Sequence, residues 1–147
     1  MSTGRIADVK TCKDCRLHRP EAEMYKQLCQ VLDVDDCYIG TEAGVEGAIL
    51  NSAVRRAGAY ENAHIIDDAK HPDVFAVVGH YDCAGHPVSD EQHDIDIVKT
   101  ADALSVEMFG VEGRVVPIIA YQNSDVAGPT WLFKRMDNDP KSVMAAE

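Results

Sequence analysis

A histidine and a cysteine, three residues apart, follow a strongly apolar segment in the middle of the chain. The segment VFAVVG (74–79) is rich in β-branched residues, which predicts a strand buried on both faces, and His80 and Cys83 come directly after it. Imidazole and thiolate are both ligands of zinc, and a tight turn can direct the two side chains at one ion. The sequence therefore predicts a metal site at the end of this strand.

A further ligand must come from elsewhere, and the segment CKDCR (12–16) offers it in two ways. Folded as a turn, the segment brings Cys12 and Cys15 to one ion. Together with the later histidine and cysteine they would complete a closed Cys₃His site, which is the structural type of zinc site.

The same segment predicts a different site if it is extended, because side chains then alternate between two faces. Cys12, Asp14 and Arg16 would share one face, and Cys15 would point away from the metal. The ion would then have three protein ligands and a fourth position for water or Asp14, which is the catalytic type. The residues by themselves leave both arrangements open.

The elements that must position these residues alternate along the chain. The patterns predict strands at 6–12, 36–41, 74–79 and 115–121 with a short one at 130–136, and helices at 20–32, at 45–57 closed by Gly58, and at 93–109 closed by Gly110. Pro117 argues that its strand is an edge or contains a bulge.

This order predicts one α/β domain over residues 1–147, with a mostly parallel β-sheet flanked by helices. Ligands of such sheets bind beyond the carboxyl ends of the strands. Cys12 closes the first predicted strand, and His80 and Cys83 follow the third, so this edge of the sheet is where the site is expected.

Composition excludes several classes of partner. The 147 residues include 14 basic and 25 acidic ones, a net charge of −11, which argues against nucleic acid or an anionic membrane as a partner. No apolar run approaches the roughly 20 residues that span a bilayer, and no apolar secretory stretch follows Met1, so a cytoplasmic location is expected. Five cysteines in that setting favour metal binding or catalysis over a disulfide framework.

The motif C-x-D-x-R (Cys12, Asp14, Arg16), followed at a distance by H-x-x-C (His80, Cys83), resembles the β-class carbonic anhydrases. Further similarity lies in VVGHYDCAG (77–85), in GRVVPIIAYQNSDVAG (113–128) and in the Ala-Gly pair at 43–44, so that the resemblance covers roughly residues 5–135. The sequence departs from the family at 40–44, where Gly-Thr-Glu-Ala-Gly replaces Arg-Asn-Ala-Gly, and at Ala84, where the family has glycine.

The resemblance implies a β-carbonic-anhydrase-like domain and a zinc lyase that reversibly hydrates carbon dioxide to bicarbonate. It favours the extended arrangement, with zinc on Cys12, His80 and Cys83 and with Asp14 and Arg16 as the catalytic pair. Members typically form homodimers or higher homo-oligomers. Hydrolases of carbonyl sulfide or carbon disulfide resemble the same family, so they are one alternative, and a non-catalytic Cys₃His zinc domain is the other.

The sequence also suggests roles for other residues near these motifs. His18, His86 and His93 are candidates for carrying the released proton, because imidazole titrates near neutrality, although an ordinary surface position is expected for each. Asp82 is expected to be a solvated turn residue, and Trp131 is expected to serve in packing.

Overall fold

A computed structural model describes residues 4–42 and 44–137 of the chain. Within these residues five strands form one sheet in the order β2-β1-β3-β4-β5. The strands β1, β2, β3 and β4 pair in parallel with one another, and β5 is antiparallel to β4. The strands are β1 (Ile6–Cys12), β2 (Asp36–Glu42), β3 (Val74–His80), β4 (Val115–Gln122) and β5 (Trp131–Arg135).

Helices flank this sheet, so the predicted α/β fold with a mostly parallel sheet is confirmed. They are α1 (Cys15–His18), α2 (Met24–Leu32), α3 (Val45–Asn51), α4 (Ala53–Lys70) and α5 (Asp90–Phe109). Helices α3, α4 and α5 pack against one another and against the central strands, and α2 contacts β2 and β5. Strand β3 is buried from Phe75 to His80, as its continuous apolar sequence predicts.

The helix predicted at 45–57 is in fact two helices. Ser52 is extended between α3 and α4, and its hydroxyl accepts a hydrogen bond from the backbone N–H of Arg55 at 3.2 Å. The serine therefore caps the second helix, which continues past Gly58 to Lys70. The prediction that Gly58 ends a helix is therefore wrong. The break at Ser52 was also missed, because the apolar spacing of residues 45–57 gives no sign of it.

The helix predicted at 20–32 begins later than expected. Pro20 starts only a short 3₁₀ turn (Pro20–Ala22), and Glu23 then adopts a left-handed conformation with φ of 50°. Helix α2 begins at Met24 and has the predicted end at Leu32.

Pro117 lies in β4, between two neighbouring strands and in unbroken register with β3, so the predicted edge or bulge is wrong. Its carbonyl accepts a hydrogen bond from the N–H of Met136 at 2.9 Å. In a strand, the N–H and C=O of one residue point to the same neighbouring strand. The nitrogen of Pro117 therefore faces β5 just beyond its last paired residue, Arg135, where the missing N–H breaks no ladder hydrogen bond.

The described residues cover most of the predicted domain. That residues 1–147 form a single domain stays a prediction, since Ala43 of the predicted Ala-Gly turn and residues 138–147 lie outside the described part. None of the helices in the described part has both the length and the apolar character that crossing a membrane requires.

Candidate metal centre

Three metal-type donors meet at the carboxyl end of the sheet. Cys12 is the last residue of β1, His80 is the last residue of β3, and Cys83 lies in the turn that follows. Because β1 and β3 are parallel neighbours, their ends lie side by side. All three residues are buried, and their ligand atoms lie within 4.8 Å of one another. The residues predicted from the two motifs are therefore brought together, and they could hold a metal ion.

The imidazole of His80 is oriented with one nitrogen toward this cluster and one toward the backbone. Its Nδ1 lies 2.8 Å from the carbonyl oxygen of Tyr81, which suits an N–H donor. Its buried Nε2 has no hydrogen-bond partner among the described residues. A histidine that binds a metal commonly donates its other N–H to a carbonyl in this way, which leaves one lone pair free for the ion.

The two cysteine sulfurs, 3.9 Å apart, influence each other's ionisation. A hydrogen bond from Cys83 lowers the pKa of the Cys12 thiol well below its usual range, and the same contact raises the pKa of Cys83. The contact thus favours the thiolate form of one sulfur, and the thiolate is the form that binds a cation.

The segment after Cys12 is a turn, so the extended conformation predicted for residues 12–16 is wrong. Asp14 is the N-cap of α1, and its Oδ1 accepts a hydrogen bond from the backbone N–H of Arg16 at 2.9 Å. Aspartate is among the residues that most favour such a cap, which ends the alternation of side chains.

This turn does not produce the closed Cys₃His arrangement either. Cys15 begins α1, is exposed, and has its Sγ 3.8 Å from Nη2 of Arg19. It is not among the three donors that converge. The turn thus places Asp14 near the cluster and Cys15 away from it, which is the side-chain arrangement expected of the extended chain.

Asp14 and Arg16 form a two-pronged ion pair beside the donors. Arg16 donates from Nη2 to Oδ2 of Asp14 at 2.7 Å and from Nε to Oδ1 at 3.1 Å. These hydrogen bonds lower the pKa of Asp14 to about 2, so its carboxylate is ionised near neutrality. Oδ2 of Asp14 lies 3.8 Å from Nε2 of His80, which puts the carboxylate at the edge of the metal centre.

Asp82 accepts further hydrogen bonds from Arg16, and the sequence analysis did not predict this contact. Arg16 donates from Nη1 to Oδ2 of Asp82 at 3.1 Å and from Nη2 to its backbone carbonyl at 3.0 Å. The Asp82 side chain is 79% exposed, as expected of a turn residue. Its left-handed conformation, with φ of 56°, is the feature that no spacing rule predicts.

Trp131 packs against both halves of the site, in line with its predicted packing role. The side chain is buried in β5, its ring makes an edge contact with His80 at 5.7 Å, and Cζ of Arg16 lies 5.2 Å from the ring centre. Gln27 of α2 fixes this strand, because it donates to the carbonyl of Trp131 at 2.7 Å.

The three histidines considered as proton carriers are all engaged with other groups. His93 is wholly buried and the side chain of His86 is only 12% exposed, so the surface position expected for these two is wrong. Both lie against Glu46, a buried carboxylate that the sequence analysis did not single out. His18 has its Nε2 2.9 Å from the carbonyl of Cys12.

Comparison with known proteins agrees with this geometry. A family model described as "Putative carbonic anhydrase" matches residues 2–127, a range that includes all three donors and the Asp14–Arg16 pair. No curated protein matches the chain. Because the family match extends over most of the sequence, this chain belongs to that carbonic anhydrase family.

Proposed function

We propose that this chain is a β-class carbonic anhydrase, a zinc lyase that reversibly hydrates carbon dioxide to bicarbonate. Cys12, His80 and Cys83 are the proposed ligands, and Asp14 and Arg16 are the proposed catalytic pair. The observation that carries the proposal is the position of an ionised, arginine-bound carboxylate beside three converging buried donors.

The geometry of the donors suits zinc. Two thiolates bound tetrahedrally at about 2.3 Å from one ion are separated by roughly 3.8 Å, and the sulfurs of Cys12 and Cys83 are 3.9 Å apart. The free Nε2 of His80 supplies a third donor. Three protein ligands leave the fourth coordination position of the ion free, which is typical of catalytic sites. Zinc held by these ligands would act as a Lewis acid that makes water more acidic.

Asp14 is placed to orient the reacting water. Its Oδ2 faces His80, so the carboxylate can accept a hydrogen bond from water at the open side of the centre. The water oxygen then presents a lone pair to the carbon of carbon dioxide, and the products are bicarbonate and one proton. The ionised carboxylate is a stronger acceptor than the neutral carboxyl group, and the hydrogen bonds of Arg16 keep it ionised.

Arg16 also lines a cavity next to its contact with Asp14. A cavity of about 470 Å³ is lined by Arg16, Arg19, Glu21, Thr130 and Trp131. Its two guanidinium groups stand against the single carboxylate of Glu21, so the cavity can favour an anion such as bicarbonate even though the chain as a whole carries a net charge of −11.

The choice of substrate, the oligomeric state, the location and the partners remain proposals. Carbonyl sulfide or carbon disulfide is the alternative substrate, because the same donors would serve their hydrolysis. A homodimer or higher homo-oligomer, a cytoplasmic location, and the expectation that neither nucleic acid nor membrane is a partner also stay predictions.

The test is stopped-flow measurement of carbon dioxide hydration by the zinc-loaded protein, with carbonyl sulfide hydrolysis assayed on the same preparation. The Asp14→Asn variant should keep its zinc and lose roughly 100-fold or more in the rate of hydration, because the water loses its negatively charged acceptor. The exposed Asp68→Asn change is the matched control and should have no effect. A fully loaded wild-type protein that hydrates no carbon dioxide would refute the proposal, and turnover of carbonyl sulfide alone would establish the alternative.

A further inference from the structure

A second group of metal-type donors lies outside the Cys12 centre and takes no part in the proposed reaction. Glu46 is in the first turn of α3, His86 follows Cys83 in the loop, and His93 is in the first turn of α5. One ligand atom from each lies within 4.8 Å of the other two. The hydroxyl of Thr100 donates to the carbonyl of Glu46 at 2.9 Å, which ties the two helices together at this point.

The ligand atoms of these three residues are close enough together to contact one ion. Nδ1 of His93 lies 3.0 Å from Oε1 of Glu46, and Nε2 of His86 lies 3.4 Å from the same oxygen. Nitrogen and oxygen ligands about 2.0–2.1 Å from a tetrahedral zinc ion are roughly 3.3 Å apart. The two imidazole rings make an edge contact, with their planes inclined at 68° and their centres 5.6 Å apart.

The charges of the group call for a cation. Glu46 is 2% exposed and Asp96 is also buried, with its Oδ2 2.8 Å from Nε2 of His86. Among the described residues no lysine or arginine pairs with Glu46, and the buried Nε2 of His93 has no hydrogen-bond partner. Burying the charge of Glu46 without a cationic partner is costly, and a bound divalent ion would offset that cost.

Two glycines provide the space that these side chains occupy. A Cβ added at Gly79 would collide with the carboxylate of Glu46, and one added at Gly47 would collide with the ring of His86. At Gly44, where φ is 55°, a Cβ would lie 2.7 Å from the backbone of Gly85, so glycine also allows the loop to approach α3. The backbone around the group is therefore shaped to bring the donors together.

The group also has a route to solvent. His86 lines a surface cavity of about 320 Å³ together with Gly47, Arg55 and Gly85. An ion could therefore reach the buried donors past the His86 ring, and a proposed metal site requires such an entry path.

We propose that Glu46, His86 and His93 form a second metal site, distinct from the cysteine centre, for a borderline divalent ion such as Zn²⁺. Two imidazoles and one carboxylate are a donor set that zinc and other first-row transition ions accept. Oδ2 of Asp96 lies 2.8 Å from the same Nε2 of His86, so an ion bound at this nitrogen would replace that hydrogen bond and lie next to the Asp96 carboxylate.

The test uses Zn²⁺ alone and reads metal content rather than activity. The Cys12→Ser/Cys83→Ser double variant removes the sulfur centre and should still retain one zinc ion per chain after dialysis, measured by mass spectrometry. X-ray absorption of that ion should show nitrogen and oxygen neighbours without sulfur. Adding His93→Gln should abolish binding, and the matched change His64→Gln, at an exposed histidine of α4, should leave it intact.

Two results would overturn the second site: a folded double variant that binds no zinc, or one whose zinc has a sulfur neighbour. Circular dichroism reports the folding of each variant. If His93→Gln does not fold, His86→Gln at the edge of the cavity decides, since that side chain reaches the surface. Failure of the carbon dioxide assay would leave this result untouched, because the measurement does not use the proposed reaction.

Discussion

Arg16 and Asp14 contact each other through two parallel side-chain hydrogen bonds, and Arg16 is held from the opposite side by Asp82. The carboxylate is thus fixed on one side by a guanidinium, while its Oδ2 is left near His80. The proposed role of Asp14 depends on this rigid, two-pronged contact, because a rotating carboxylate could not hold a water in one orientation.

Replacement of Arg16 by lysine keeps the positive charge but removes the planar fork. We expect the Arg16→Lys variant to keep its zinc and to lose roughly 10- to 100-fold in kcat/KM for carbon dioxide, since a hydrogen bond to a charged group contributes about 1.5–3 kcal/mol. Stopped-flow assay and metal analysis check this. Arg114→Lys, at an arginine beside Phe109, is the control, and equal activities of the Arg16 variant and wild type would contradict the role.

The side chain of Asp82 should matter much less. Its carboxylate is largely exposed, so its ion pair with Arg16 contributes at most about 1 kcal/mol, and the backbone carbonyl contact remains in any variant. Asparagine also tolerates the left-handed backbone. We therefore expect Asp82→Asn to retain activity within about fivefold of wild type. A loss comparable to that of the Arg16 variant would show that the side chain, rather than the carbonyl, positions Arg16.

The two cysteines of the C-x-x-C segment should respond oppositely to substitution. Cys15 is exposed and lies outside the converging donors, so Cys15→Ser should change neither zinc content nor the melting temperature. Cys12→Ser removes a buried donor and should release the ion from the cysteine centre. X-ray absorption of the zinc-loaded proteins distinguishes the cases, because the number of sulfur neighbours should fall only in the Cys12 variant.

Metal-free protein should become less stable as the pH rises, because of Glu46. Burial, followed by the nearby carboxylates of Asp96 and Asp94, raises the pKa of Glu46 to about 8 from an ordinary 4.5. The folded state therefore holds the proton more tightly than the unfolded state, so its stabilising contribution is complete below about pH 4.5 and is lost by about pH 8.

Urea unfolding of chelator-treated protein at pH 5 and pH 8.5 tests this effect. The Glu46→Gln variant cannot ionise, so its free energy of unfolding should rise relative to wild type between the two pH values by on the order of 4 kcal/mol. Glu107→Gln, at a half-exposed carboxylate of α5, is the control. Parallel pH dependence of wild type and Glu46→Gln would contradict the raised pKa.

Much of the metal centre could be predicted from the sequence, because its donors lie at the ends of strands. Cys12 and His80 end neighbouring parallel strands, and the buried apolar run before His80 makes its strand unambiguous. Parallel strands present their carboxyl ends at one edge, so residues far apart in sequence had to meet there.

The parts that were not predicted depend on hydrogen bonds between a side chain and the nearby backbone, or on long-range packing. Asp14 and Ser52 each cap a helix and redirect the chain, which apolar periodicity does not reveal. Glu46 gave no signal, because a glutamate early in a helix usually faces water and favours the helix dipole. Only the assembled fold places it between two histidines.

Trp131 lies beyond residue 127, where the match to the family model ends, yet its ring contacts both His80 and Arg16. A fragment cut at that boundary would keep every proposed ligand and the whole catalytic pair, but it would lose the indole that shields them. The smallest active portion of this protein should therefore extend at least through the antiparallel strand, and its limits follow from tertiary packing instead of from shared ancestry.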